Sequence, residues 1–278
     1  MKPDLSTEPR IIDAKTRWGL VDLRDLWYYR DLLYFLIWRD IKVRYAQSVL
    51  GVGWAVIQPV FLMIVFTLVF GRLARLDSDG APYAIFSYVA LVPWTYFSNA
   101  LTDSTTSLVQ NSALITKVYF PRIILPLSAI LSKLIDFAIA LILVIVLLVW
   151  YETVPNVGVA VIPLLVLLMI LTAAGLGIWL ASLAIQYRDI KYALTFIIQM
   201  LMFASPVVYP LNMVPERYQF LYSLNPMVGV IEGFRSAFLT TNPMPWNPIA
   251  IGFCVAIALL VAGTFYFRRS EESFADVV

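Results

Sequence analysis

The stretch IILPLSAILSKLIDFAIALILVIVLLVWY, residues 123–151, decides the fold. It runs for 29 residues with two charges, Lys133 and Asp136, and carries none from Phe137 onward. A helix of about 20 residues crosses a hydrocarbon core of about 30 Å, so this run can span a bilayer with turns to spare.

Outward from that run, five further charge-poor segments are long enough to cross: Gly53 to Phe70, Tyr83 to Thr102, Val159 to Gln186, Tyr192 to Leu211 and Pro248 to Phe267. With Ile123 to Tyr151 they predict an all-α membrane protein of six transmembrane helices. Composition agrees, since 61% of the chain is hydrophobic, 14% is charged and the mean hydropathy is +0.81. The expected division is a cytoplasmic N-terminus with an amphipathic interface helix over residues 1–45, followed by a six-helix transmembrane domain over residues 46–278.

Basic residues near span ends are retained on the cytoplasmic side. With the N-terminus inside, the basic residues before the first span, Lys117 and Arg122 after the second, Arg188 and Lys191 after the fourth, and Arg268 and Arg269 after the sixth are all cytoplasmic. Only Arg72, Arg75, Arg217 and Arg235 fall outside. Both termini are therefore expected in the cytoplasm. Met1 to Arg24 lacks the short apolar core and small-residue cleavage site of a signal peptide.

Several chemistries are excluded. The chain has no histidine, which removes Ser-His-Asp sites and His-ligated metals, and its single cysteine, Cys254, sits in an apolar run. No Gly-Lys pair exists, so there is no P-loop for nucleotide phosphates. The net charge of +2 argues against nucleic acid as a partner. No catalytic, cofactor or metal residue is expected. An ATP-driven pump built on this chain would need a separate nucleotide-binding subunit to hold ATP and Mg.

Three segments do not span. Leu26 to Tyr45 has an uncharged middle, Leu32 to Trp38, flanked by Arg30-Asp31 and Arg39-Asp40; it fits a helix lying in the membrane interface or an ordinary cytoplasmic helix. In the loop from Asp103 to Arg122, Ser104 to Thr116 is expected as a short helix capped by Asp103 or Ser104, serving as a docking surface or a plain connection. Between Asn212 and Asn247, helices are expected over Pro215 to Leu224 and Pro226 to Phe238, each with Pro at its start, dipping back toward the membrane.

Lys133 and Asp136 are three apart on one helix face and are expected to pair, as a structural contact or an ion relay. Aromatic rings stack on the C–H faces of sugars, which makes Phe61, Phe66, Tyr88, Trp94, Tyr96 and Phe97 candidates for lining a substrate channel; interface belts and helix packing account for them equally well. Ala173, Gly175 and Gly177 are expected to permit close helix contact.

The string Trp38-Arg39-Asp40-Ile41-Lys42-Val43-Arg44-Tyr45, with Ser48, Leu50-Gly51, Trp54 and Gln58-Pro59 after it, resembles ABC-2-type permeases that export polysaccharide, among them O-antigen, capsule and teichoic-acid exporters. Further matches are Asn111-Ser112-Ala113-Leu114-Ile115 with Lys117, Phe120-Pro121-Arg122 and Leu125-Pro126, then Ser205-Pro206-Val207-Val208-Tyr209-Pro210, Leu224-Asn225-Pro226, Glu232 and Arg235. The resemblance implies a homodimer with two ATPase subunits beneath it, one channel along the dimer axis, and an undecaprenyl-diphosphate-linked glycan, O-antigen foremost, as cargo in the bacterial inner membrane. It also implies roles. The segment before span one becomes an interface helix whose Arg39, Lys42 and Arg44 meet the lipid diphosphate or anchor the helix. Ser104, Leu108, Asn111, Leu114, Ile115 and Lys117 become the coupling surface for the ATPase, and Pro206, Tyr209, Pro226, Glu232 and Arg235 an extracytoplasmic gate. An ABC-2 exporter of another lipid or small molecule, an ion-coupled carrier, and a glycan-modifying enzyme using Glu232, Asp103 or Glu152 are the rival readings.

Overall fold

The computed structural model describes residues 23–46 and 51–271, and every regular element among them is helical. The expected N-terminal stretch lies outside the described residues up to Asp22, as do Ser48 and Leu50 of the recognition string.

The interface segment forms α1 (Leu23–Tyr28) and α2 (Arg30–Ala46). Asp31 in the first turn of α2 and Arg44 in the last complement its dipole. The helix lies along α6 (Ile124–Ser132) and buries Leu36, while Tyr34, Phe35 and Trp38 stay exposed. Charged and aromatic residues sharing one exposed face suit a headgroup layer better than water.

α3 (Trp54–Phe66) continues through a π-helical turn over Thr67–Leu73. α4 (Tyr83–Gln110) is the axis of the fold, with 19 of its 28 residues buried against neighbouring helices. The short α5 (Ser112–Lys117) follows, then α6, which kinks at Lys133 into α7 (Leu134–Trp150). α8 (Ile162–Gln186) packs on both α4 and α12 (Trp246–Ser270). Gly175 permits the α8–α12 contact: a Cβ there would stand 2.7 Å from the Leu260 nitrogen. Gly177 does the same toward α4, where a Cβ would meet Ser104 Oγ at 2.5 Å. The small residues act as expected.

Among the described residues, four segments are long and apolar enough to cross a membrane: Trp54–Leu73, Ile124–Trp150, Val157–Gln186 and Trp246–Ser270. α4 and α9 (Ile190–Phe203) do not qualify, for different reasons. α4 is long but polar along part of its length: its Ser and Thr hydroxyls bond back to carbonyls of the same helix, while Tyr88 and Tyr96 donate to carbonyls of α7 and α6. α9 has 14 residues; at 1.5 Å per residue it is about 21 Å long, less than a hydrocarbon core.

The chain goes on into a hairpin. After α9 it unwinds over residues 204–210, then forms α10 (Glu216–Ser223) and α11 (Pro226–Leu239), close to the expected bounds. Asn225 caps α11 by accepting from the Met227 N–H, and Pro226 occupies the first turn, where its missing donor costs nothing. All 14 residues of α11 are buried. A Cβ on Gly252, six residues into α12, would lie 3.2 Å from the Pro226 Cα, so α11 starts about 9 Å below the head of α12.

One expected element is corrected. No separate helix starts at Ser104; α4 runs on to Gln110, and neither Asp103 nor Ser104 caps anything. Thr102, Thr105, Thr106 and Ser107 turn their hydroxyls back onto carbonyls three or four residues earlier, which satisfies these polar groups within the helix. Packing of Leu101, Ser104, Thr105 and Leu108 does the rest. The break comes at Asn111, whose side chain bonds the Ser107 carbonyl.

Candidate functional site

Two polar clusters stand at opposite ends of α4. At the Tyr83 end, Arg235 and Glu232 of α11 form a buried ion pair of 2.8 Å with side chains 2% and 7% exposed. A buried charge is tolerable only with every group engaged. Arg235 Nη2 donates to the Val207 carbonyl at 2.9 Å and Nη1 to the Tyr209 carbonyl at 3.2 Å, while Glu232 Oε1 accepts from the Leu211 N–H at 3.2 Å. Tyr83 donates to the remaining carbonyl, Val208, at 2.6 Å. The guanidinium lies 3.6 Å over the Phe86 ring, and its Nε faces no acceptor among the described residues.

The chemistry of this cluster is therefore scaffolding of backbone. Residues 204–210 are not helical, and non-helical backbone at membrane depth survives only where protein satisfies it. Arg235, Glu232 and Tyr83 supply that satisfaction. Asn225 Nδ2 adds a bond to Ser205 Oγ, and the hydroxyls of Tyr209 and Tyr222 meet at 2.8 Å. Burial, then the Tyr209 contact, pushes the Tyr222 phenol above its ordinary range, so it stays protonated. Of the expected gate residues, Pro206, Pro226, Glu232 and Arg235 are buried and Tyr209 is half-buried, and all five belong to this one assembly.

At the Gln110 end, Arg44 of α2 reaches Asp136 of α7 at 2.8 Å, Ser132 at 3.2 Å and Asp103 of α4 at 3.6 Å. Lys133 pairs with Asp103 at 2.6 Å, and Tyr45 donates to Asp136. The expected Lys133–Asp136 pair is thus not formed. Each side chain finds its opposite charge on another helix. Two cations and two carboxylates cancel, and in doing so tie α2, α4 and α7 together. A cavity of about 240 Å³ opens beside them, lined also by Trp54, Gln58, Thr95, Tyr96 and Asn99.

The other candidates divide. Tyr88, Trp94, Tyr96 and Phe97 are buried in the bundle, Tyr88 and Tyr96 donate to the Ala140 and Ile130 carbonyls, and Tyr96 also lines the cavity. Phe66 is buried too, packed edge-on against Phe70, and Phe61 is 65% exposed. Arg39 is paired with Asp40 at 2.8 Å, Arg44 is consumed by Asp136, and Lys42 sits 5.8 Å from the Trp38 ring. Of the coupling set, Ser104, Leu108 and Ile115 are buried, Asn111 and Leu114 are half-buried, and Lys117 is exposed. The surface at this end is instead Val109, Gln110, Thr116, Lys117, Val118 and Tyr119. Sequence reasoning missed the roles of Tyr45, Tyr83 and Asp103, whose partners lie far along the chain. A Tyr at the mouth of an apolar run was the available signal for Tyr83.

An all-helical bundle with spans of membrane length, and an unwound segment clamped by a buried hairpin, defines an integral membrane protein. Residues 31–239 match the ABC-2 type transporter family, and the chain belongs to it. It is 30% identical over 258 residues to an O-antigen export system permease protein, RfbA, from Myxococcus xanthus, covering 92% of this chain and 98% of the relative. A protein of the same name from Klebsiella pneumoniae is 28% identical, over 91% of this chain and 97% of the relative. A polysialic acid transport protein, KpsM, from Escherichia coli is 23% identical over 86% and 93%.

Proposed function

We propose that this chain is the transmembrane permease subunit of an ATP-driven exporter of polysaccharide carried on undecaprenyl diphosphate, with O-antigen as the foremost cargo. The similarity to O-antigen export permeases, nearly end to end on both sides, carries the reading. The absence of a P-loop in the sequence supports a separate ATPase subunit, taken in two copies with ATP and Mg, under a homodimer of this chain. In this reading all six apolar runs cross the bacterial inner membrane, α4 sheathed in protein and α9 with most of its apolar side chains facing outward, and both termini are cytoplasmic. α2 lies in the inner interface, the exposed surface from Val109 to Tyr119 receives the ATPase, and the α10–α11 hairpin with residues 204–210 forms the outer gate.

Deletion of the gene tests the reading. The expected outcome is loss of surface polysaccharide with lipid-linked glycan held on the cytoplasmic face; unchanged surface glycan would remove the assignment. Replacing Lys117 and Tyr119 with Ala should leave the partner hydrolysing ATP while export falls, and preserved coupling would move the docking surface elsewhere.

A further inference from the structure

We propose that the cavity between α3, α4 and α7 seats one sugar ring of the polymer as an uncharged polyol, and is not the site of the diphosphate. The inference rests on the export reading and specifies what one subsite recognises. Its volume, about 240 Å³, is below the roughly 300–1,000 Å³ of pockets for drug-sized ligands, which limits it to a single ring. Thr95 and Asn99 lie one turn apart on the same face of α4 and both line it, with Gln58 of α3 across from them. None of these three side chains makes a hydrogen bond to a described residue, whereas Ser98, Thr102, Thr105 and Ser107 bond back to their own helix. Each amide offers an acceptor and two donors, and the Thr hydroxyl offers both functions, the complement of a ring of vicinal hydroxyls. Trp54, half in the cavity wall, supplies an aromatic face for the apolar side of a sugar.

Charge decides against the anion. The two cations on the wall, Arg44 and Lys133, are already held by Asp136 and Asp103 at 2.8 and 2.6 Å. A diphosphate entering there would have to break both pairs and approach two carboxylates. A neutral ring disturbs neither.

The test uses the full chain in lipid nanodiscs with Cys254→Ser and a reporter, Ala55→Cys, on the cavity wall. Maleimide labelling rates are measured against a series of methyl hexopyranosides and against inorganic pyrophosphate. At least one hexoside should slow labelling saturably and pyrophosphate should not. Asn99→Ala should weaken that protection about fivefold, the equivalent of one hydrogen bond. Thr95→Val, which keeps the shape, should weaken it similarly, so a folding defect in one variant does not decide the matter. Protection by pyrophosphate but by no hexoside would overturn the proposal in favour of an anion site; protection by neither would reduce the cavity to a water-filled gap. Export is not assayed in this experiment, so its failure is separable from failure of the transport assignment.

Discussion

The two ends of α4 solve the problem of charge in lipid in opposite ways. Glu232 and Arg235 are neighbours in sequence, almost fully buried, and hold backbone; Arg44, Asp136, Lys133 and Asp103 come from three helices, retain exposure of 11% to 41%, and hold helices. The first arrangement fixes a shape that has no helical hydrogen bonds of its own. The second is a set of exchangeable pairs beside a cavity, where Arg44 already touches two carboxylates. A rigid clamp and a rearrangeable one therefore face each other along a single helix.

This contrast fails first at Arg235 if it is wrong. Arg235→Met leaves a buried carboxylate unpaired and two carbonyls without donors, and the expected loss is about 3–5 kcal/mol, read as collapse of the monodisperse peak in detergent after mild heating. Adding Glu232→Gln to Arg235→Met should recover only part of it. Full recovery would mean that the pair serves itself and not the backbone.

At the other end the losses should be smaller and separable. A double-mutant cycle on Arg44→Ala and Asp136→Ala should give a coupling of about 1 kcal/mol, with faster proteolysis of the α1–α2 segment in both single variants. Zero coupling would detach α2 from this cluster. Tyr83→Phe removes one bond from the rigid end and should cost about 0.6 kcal/mol in thermal unfolding, in line with single polar contacts in membrane proteins. Arg39→Ala touches only the adjacent, part-exposed Asp40 and should shift stability by less than about 0.5 kcal/mol. A larger drop would give Arg39 a partner beyond this chain.

Much of the architecture was legible because hydropathy and proline are local signals. The runs around Trp54–Leu73, Ile124–Trp150, Val157–Gln186 and Trp246–Ser270 announce themselves, and Pro215 and Pro226 mark the starts of α10 and α11. The shortness of α9 was read past, because residues 204–211 continue its apolar run; Pro206 and Pro210 were the available signal of a break, and their neighbours' carbonyl partners show how it is held. The charge pairing was misread for a related reason. Lys133 and Asp136 satisfy the helical i,i+3 rule, but the rule counts only partners on the same helix, and the partners that win lie on α2 and α4. The burial of Tyr88, Trp94 and Phe97 was not legible, because a ring's identity does not say how deep in a bundle it packs.

The clamp also sets an order of assembly. Phe86, over which the guanidinium rests, leaves the ribosome 149 residues before Arg235 (235 − 86). At bacterial or slower elongation rates that interval is roughly 7 to 30 s, during which the pocket awaiting α11 has no occupant. The final hairpin is thus a keystone, and until it arrives the nascent bundle is an open target for quality-control proteases.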